Sequence, residues 1–365
     1  MQHHQWFRNI FHPAEAQAFS FKLVALPLSF LYRAVVFLRN FVYHSGICAQ
    51  KKLPNYCISV GNITLGGSGK SPLVSAIAQH LRAQNLYPAI LARGYASNLA
   101  THDYALLWKG QVRTKSGIIL RGADEAFMQA AILSEVPIIL GRKRFRAAQW
   151  FLSISKDTCP APSHWLLDDG LQHLQLHRDV ELVLLDYRQP FGTGQVFPLG
   201  TLRELPGALR RADAILLTRC PETAVNESLR LTLATYSQAP LLAIPFSNPQ
   251  AVRVVPPGSC SPKNELASAR LLALSGIAEP TQFMDSLRAQ GLIPVEQLIL
   301  ADHQAITAEE LQQRAETIDA LITTAKDYFR MPEVFAACKK PVWILPLEAT
   351  ISYPQLHKLS PQVFP

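Results

Sequence analysis

The stretch Gly61-Asn62-Ile63-Thr64-Leu65-Gly66-Gly67-Ser68-Gly69-Lys70-Ser71 puts backbone freedom, a cation and a hydroxyl within one short loop. Glycines let successive N–H groups turn inward around a polyphosphate, an ammonium group at Lys70 reaches the β and γ phosphates, and the Ser71 hydroxyl is suited to ligate magnesium. The pattern departs from strict G-x-x-x-x-G-K-[ST]: Thr64 stands at the first glycine position, and Gly66 and Gly67 supply the freedom instead. Thr64, Leu65, Gly66, Gly67, Ser68, Gly69, Lys70 and Ser71 are the expected contacts of a nucleoside triphosphate.

A second chemical group follows the apolar run His164 to Leu167, which ends in Asp168-Asp169-Gly170. A carboxylate at the carboxyl end of a strand beside a phosphate loop can hold Mg2+ directly or through water. Taken alone, such a pair can also cap a helix or turn. Asp124-Glu125 and Asp302-His303 are two further titratable pairs, and either could help to deprotonate a sugar hydroxyl. His177-Arg178-Asp179 imitates a protein-kinase catalytic loop, but Leu184 stands where that loop needs asparagine. Lys326-Asp327 lacks the spacer of a guanine-reading N-K-x-D string, which favours adenine over guanine. Arg142-Lys143-Arg144 with Arg146 could attract a phosphate on an acceptor, although charge runs are commonly solvated faces.

These groups need a scaffold that brings strand ends together. Short apolar runs at Tyr56 to Val60, Pro88 to Leu91, Pro137 to Leu140, Trp165 to Leu167, Leu182 to Leu185 and Ala214 to Leu217 alternate with helical stretches, the rhythm of a parallel sheet. The phosphate loop sits between the first of these strands and a helical pattern over Leu73 to Leu81, with Pro72 suited to the first turn. A proline-rich passage, Val254 to Pro262, reads as a lobe boundary, and Leu271 to Leu274, Ala320 to Thr323 and Val342 to Leu345 form a second series. The expected fold is α/β: a P-loop NTPase-like parallel sheet with helices on both faces, a smaller α/β lobe and an N-terminal membrane-associated helix. The expected division is 1–45, 46–255 and 256–365.

The N-terminal region is apolar from Phe19 to Val42, interrupted by Lys22, Arg33 and Arg39. On a helix, Lys22, Ser29, Arg33 and Asn40 fall within roughly 20° of one line and leave the rest to Leu, Val and Phe. Such a helix can lie in a bilayer interface with its cations at lipid phosphates, and Pro27 should kink it. Hydrophobic residues make up 48% of the 365 residues and charged ones 17%, which excludes a largely disordered chain. The net charge of +8 favours anionic partners. Dispersed charge without a zinc finger or aromatic-basic platform argues against nucleic acid. Six scattered cysteines without a C-x-x-C pair suggest neither a zinc site nor a disulfide framework.

Read together, Gly61 through Pro72, Ala92-Arg93-Gly94-Tyr95, Asp168-Asp169-Gly170-Leu171-Gln172-His173 and Pro198-Leu199-Gly200-Thr201-Leu202-Arg203-Glu204 resemble the tetraacyldisaccharide 4'-kinase family. The resemblance implies transfer of the γ-phosphate of ATP, with Mg2+, to the 4' hydroxyl of an acylated glucosamine disaccharide 1-phosphate. It implies work at the cytoplasmic face of the bacterial inner membrane, in lipid A synthesis; a monomer is the expected state. In that family the base role goes with an acidic residue and a histidine that match Asp124 and His303, the latter next to Asp302. Neighbouring positions differ, since this chain reads Ala123-Asp124-Glu125-Ala126, Asp302-His303-Gln304 and Thr324-Ala325-Lys326-Asp327. Arg203 is expected to steady transition-state charge, Ser71, Asp168, Asp169 and Glu204 to serve the metal, and Tyr95 to contact nucleotide or substrate. A P-loop kinase for another lipid or sugar, or a membrane-peripheral nucleotide switch or assembly ATPase, would share the loop and the strand-end acids.

Overall fold

In the computed structural model, residues 15–156, 159–220, 225–256, 265–266, 268–277, 279–301, 304 and 306–365 are described. One unit comprises Met1–Phe246 with Ala349–Pro365, and the other Ser247–Glu348.

The first unit is built on a nine-stranded sheet. In chain order its elements are α1 (Glu15–His44), β1 (Tyr56–Asn62), α2 (Lys70–Ala83), β2 (Pro88–Ala92), β3 (Ala105–Trp108), β4 (Gln111–Thr114), α3 (Asp124–Ile132), β5 (Ile138–Leu140), α4 (Arg144–Ile154), β6 (His164–Asp168), β7 (Val180–Asp186), β8 (Ala214–Thr218), α5 (Glu227–Ala234) and β9 (Leu241–Ile244). The strand order is β4-β3-β5-β2-β6-β1-β7-β8-β9. All pairs are parallel except those made by β3, which runs antiparallel to both β4 and β5.

Both faces of the sheet are covered, so its strands are continuous apolar runs instead of alternating ones. Successive residues of β7 show why: Leu182 and Leu184 enter one core with α2 and α3, while Val183 and Leu185 enter another with Leu171, Leu202 and α5. Under β2, β5 and β6, the second face is closed by Ala147, Ala148 and Phe151 of α4. The expected parallel sheet with helices on both faces is present.

The second unit has a five-stranded sheet formed by β10 (Val252–Val255), β11 (Leu271–Ser275), β12 (Glu296–Ile299), β13 (Ala320–Thr324) and β14 (Val342–Leu345), in the order β10-β14-β13-β11-β12. Only β10 is antiparallel. Helix α6 (Pro280–Ala289) supplies Phe283 and Leu287 to one face, and α7 (Ala308–Ala315) with α9 (Pro332–Ala336) supplies Leu311 and Phe335 to the other. Between β13 and α9 lies the short α8 (Ala325–Arg330).

The boundary expected at 255–256 is displaced. The units part between Phe246 and Ser247, because β10 is already an edge strand of the second sheet and the proline-rich passage opens only inside it, at Val254. The chain also returns: α10 (Tyr353–Leu359) and the residues after it belong to the first unit, where Leu356 and Phe364 are fully buried. The N-terminal segment expected as a separate region, 1–45, is grouped with the first unit as well.

Helix α1 inverts the usual arrangement of a surface helix. Ala25 and Ser29 are buried, whereas Val24, Phe30, Leu31, Val35, Phe37, Leu38 and Phe41 are exposed, Phe37 at 70%. Its span Val24–His44, 21 residues, is long and apolar enough to cross a membrane by length and composition. Of the expected polar stripe, Ser29 and Asn40 bond to the protein and Lys22 and Arg33 remain exposed. Pro27 lies inside the helix.

Candidate active site

Two strands of the first sheet deliver the chemistry at their carboxyl ends. β1 runs into the glycine loop, and α2 starts at Lys70 with Gly69 as its N-cap in a left-handed conformation, φ 83°. A Cβ at Gly69 would also run into the Phe246 ring. Glycine at this position therefore serves both the turn and the packing. β6, paired in register with β1, ends at Asp168. Asp169 itself takes a left-handed φ of 53°, a sparsely populated conformation for a non-glycine residue. Gly170 then passes so close to β1 that a Cβ would strike Ser59.

Lys70 Nζ donates to Asn62 Oδ1 at 3.2 Å and Ser68 Oγ at 3.4 Å, and pairs with Asp169 Oδ1 at 3.4 Å. Arg203 Nη1 lies 2.8 Å from both oxygens of Asp169. On the other side of the loop, Ser71 Oγ donates to Glu125 Oε2 at 3.4 Å. Gln129 Nε2 bridges the Ser71 carbonyl at 3.3 Å and Asp168 Oδ2 at 3.2 Å.

The two neighbouring aspartates end up electrostatically opposed. Burial, reinforced by Glu125, pushes Asp168 up to about 6 despite Lys70. Burial pushes Asp169 the same way, but Lys70, Arg203 and Arg144 outweigh it and bring the carboxyl down to about 2. Arg144, at the start of α4, is itself buried; burial lowers its guanidinium to about 10, with Asp169 opposing and Arg93 adding to the shift. His173 is brought to about 3 by burial and by Arg144, Arg178 and Arg93, so its imidazole is neutral at physiological pH. Of the basic run 142–146, then, only Arg144 is buried, and its charge is directed at the two aspartates.

Whether this set suits Mg2+ follows from its donors. Asp168 and the Ser71 hydroxyl, with Glu125 alongside, are hard oxygen groups, and a carboxylate whose ionisation is disfavoured by burial and by a neighbouring carboxylate is relieved by a divalent cation. No cluster of three or more His, Cys, Asp or Glu suited to a metal occurs among the described residues.

Residues 21–363 match the family model described as tetraacyldisaccharide-1-P 4'-kinase. The chain belongs to this kinase family. Tetraacyldisaccharide 4'-kinases of Pelobacter propionicus and Geobacter sulfurreducens are each 33% identical over 90% of this chain and 88% of their own lengths. The solved structure of LpxK from Aquifex aeolicus in complex with ATP is 27% identical, with a TM-score of 0.73 over 93% of this chain and 98% of that one.

Against the family-implied roles, the structure places Asp124 as the first residue of α3, next to the Glu125 that accepts from Ser71. Asp302 and His303 lie outside the described residues. Tyr95 is 69% exposed on the loop after β2.

Glu204 departs from its expected place among the metal ligands. It is 1% exposed, and its oxygens accept from Arg211 at 2.9 Å, Asn40 at 2.8 Å and Gln172 at 3.1 Å, with Arg39 at 3.5 Å. A carboxylate with both oxygens engaged by cations and amides is a structural tie. Gln129 carries geometry that no motif singles out; in the sequence Glu125 stands only as half of an acidic pair and Asn62 only as part of the loop string, neither with the contact it makes here. The rejected strings are structural as well: Asp179 accepts from the Cys57 amide at 2.8 Å, and Asp327 accepts from Gly276 N at 2.9 Å and Thr324 Oγ1 at 2.7 Å.

Proposed function

We propose that this chain transfers the γ-phosphate of ATP to the 4' hydroxyl of a tetraacylated glucosamine disaccharide 1-phosphate, giving the bisphosphorylated lipid IVA of lipid A synthesis. The observation that carries the reading is the junction of loop and acids: Lys70 lies 3.4 Å from Asp169, and Ser71 meets Glu125 at 3.4 Å, in a chain of this kinase family.

In the reaction, the amides of Gly66 to Ser71 and the ammonium of Lys70 hold the triphosphate. Arg203, fixed by Asp169, presents its remaining N–H groups to the charge that builds on the transferring phosphoryl group. Ser71 and Asp168 would hold Mg2+, which when bound neutralises charge on the β and γ phosphates. Asp124 accepts the proton of the attacking 4' hydroxyl as its oxygen bonds to the γ phosphorus and the β–γ bridging oxygen leaves with ADP. Asp302 and His303 keep the supporting base role that the family likeness implies. Tyr95 is offered as an acceptor-side contact because it stands exposed beyond β2. The apolar outward face of α1 attaches the enzyme to the cytoplasmic leaflet of the inner membrane, where a lipid acceptor resides.

The test is transfer of radiolabel from γ-labelled ATP to the acylated disaccharide by purified full-length protein. Lys70→Ala is expected to lower transfer by about 10²-fold or more, since it removes the cation at the transferring phosphate. Wild-type protein that hydrolyses ATP without labelling lipid would overturn the assignment and leave a nucleotide switch.

A further inference from the structure

Four residues of α1 grip the segment that carries Arg203 and Glu204. Ser29 Oγ donates to the Val196 carbonyl at 3.1 Å and accepts from Leu199 N at 2.9 Å. Tyr32 OH donates to the carbonyl of Arg203 at 3.2 Å. Asn40 Nδ2 donates to Glu204 Oε2 at 2.8 Å, and Arg39 Nη2 stands 3.5 Å from Glu204 Oε1. These positions recur at helical spacing along one side of α1, the side turned away from its exposed apolar face.

Glu204 does not stop at α1. Gln172 Nε2 donates to Glu204 Oε1 at 3.1 Å and to the Asn62 carbonyl at 3.0 Å, while Gln172 Oε1 accepts from Arg203 Nη1 at 3.5 Å. Two short routes therefore lead from the helix to Lys70. One runs through Gln172 and Arg203 to Asp169, and the other through Gln172 and Asn62, whose side chain accepts from Lys70. A carboxylate that is 1% exposed is costly to leave short of donors, so Glu204 holds α1 and the 172–204 pair of loops in one arrangement.

We infer that Asn40 and Arg39 of α1 are positioning residues for phosphoryl transfer, acting through Glu204 and Gln172 on the Arg203–Asp169 pair beside Lys70. The helix with the apolar surface is thus also a strut of the phosphate site. A tether alone would alter only how the acceptor is met; a strut alters how well Mg-ATP is held and how fast it reacts. The inference rests on reading this site as the kinase centre.

The experiment is a charge-preserving swap in the full chain, kept in detergent with soluble acceptor. Asn40→Asp sets two carboxylates face to face; Asn40→Asp with Glu204→Gln restores one amide and one carboxylate with the original net charge. For Asn40→Asp, kcat is expected to fall about tenfold, with acceptor KM within about twofold of wild type. Mg-ATP affinity by titration calorimetry should weaken several-fold, and the swap should recover most of both losses. Because Asn40→Asp alone could loosen the fold, thermal midpoints accompany each variant, and the swap decides the matter. Unchanged kcat and Mg-ATP affinity in Asn40→Asp, or a folded swap no better than the single variant, would overturn the inference. Titration calorimetry needs no lipid, so it still decides the coupling if transfer to the acylated disaccharide fails in wild-type protein.

Discussion

Asp168 and Asp169 share one strand end, and their opposed titration divides their work. Asp169, drawn down to about 2, is a permanent anion that holds Lys70 and Arg203; its contribution to stability is present above the unfolded value near 3.9 and is lost as pH falls toward 2. Asp168 has the reverse sign. Its folded value of about 6 exceeds the unfolded one, so its contribution is complete below pH 3.9 and fades as pH rises through about 6. Asp168→Asn is therefore expected to raise the thermal midpoint of nucleotide-free protein, by a margin that widens between about pH 4 and 6 and levels off above that, while lipid phosphorylation collapses. Calorimetric scans across that range check it, and a margin independent of pH would count against a strained acid at this site. The motif spelled out both aspartates but not their difference, which comes from Glu125 on one side and from Lys70, Arg203 and Arg144 on the other, brought in from distant parts of the chain. Glu204 misled for the same reason: an acid in a motif string carries no label distinguishing a metal ligand from a buried tie.

Among the elements, β1, β2, β6, β7 and β8 were legible because a strand buried on both faces writes itself as an unbroken apolar run. β3 and β4 were not. β4 reads Gln-Val-Arg-Thr with most of its residues exposed, and only the turn betrays the hairpin: Lys109 at φ 51° and Gly110 at φ 72°, both left-handed as a tight two-residue connection requires. The amphipathic helix was legible in period, but the part of its polar stripe that faces inward was not, because Ser29 and Asn40 have partners more than 150 residues away. Its outward face makes a direct prediction. Phe30 and Phe37 are 63% and 70% exposed, so changing both to Ser should leave the thermal midpoint in detergent unaltered. Each buried phenylalanine contributes about 1.5–3 kcal/mol, so partition onto anionic phospholipid vesicles should drop about a hundredfold or more. Equal co-sedimentation of variant and wild type would deny that this face meets lipid.

At the scale of the molecule, the chain leaves its first unit after Phe246 and comes back at Ala349, a return that no local pattern announces. The tail reads as an unremarkable C-terminus, yet it closes the core beneath α2. His80 Nε2 lies 2.5 Å from the Ile351 carbonyl, His164 Nε2 lies 2.7 Å from the Val363 carbonyl, and Phe364 has no exposed surface. Because β6 begins at His164 and ends at Asp168, the tail steadies the far end of the strand that carries the acids. Burial, not sequence position, sets the cost of a change there. Phe364→Ala should cost about 3–5 kcal/mol, as a large aromatic removed from a closed core does. The loss belongs to one unit, so amide hydrogen exchange is the discriminating measurement: protection should fall in α2, β1 and β6, while β11, β13 and β14, which have their own two cores, keep theirs. Uniform loss across both sheets would mean that the units unfold as one, and unchanged protection in β6 would mean that the tail is not part of its core.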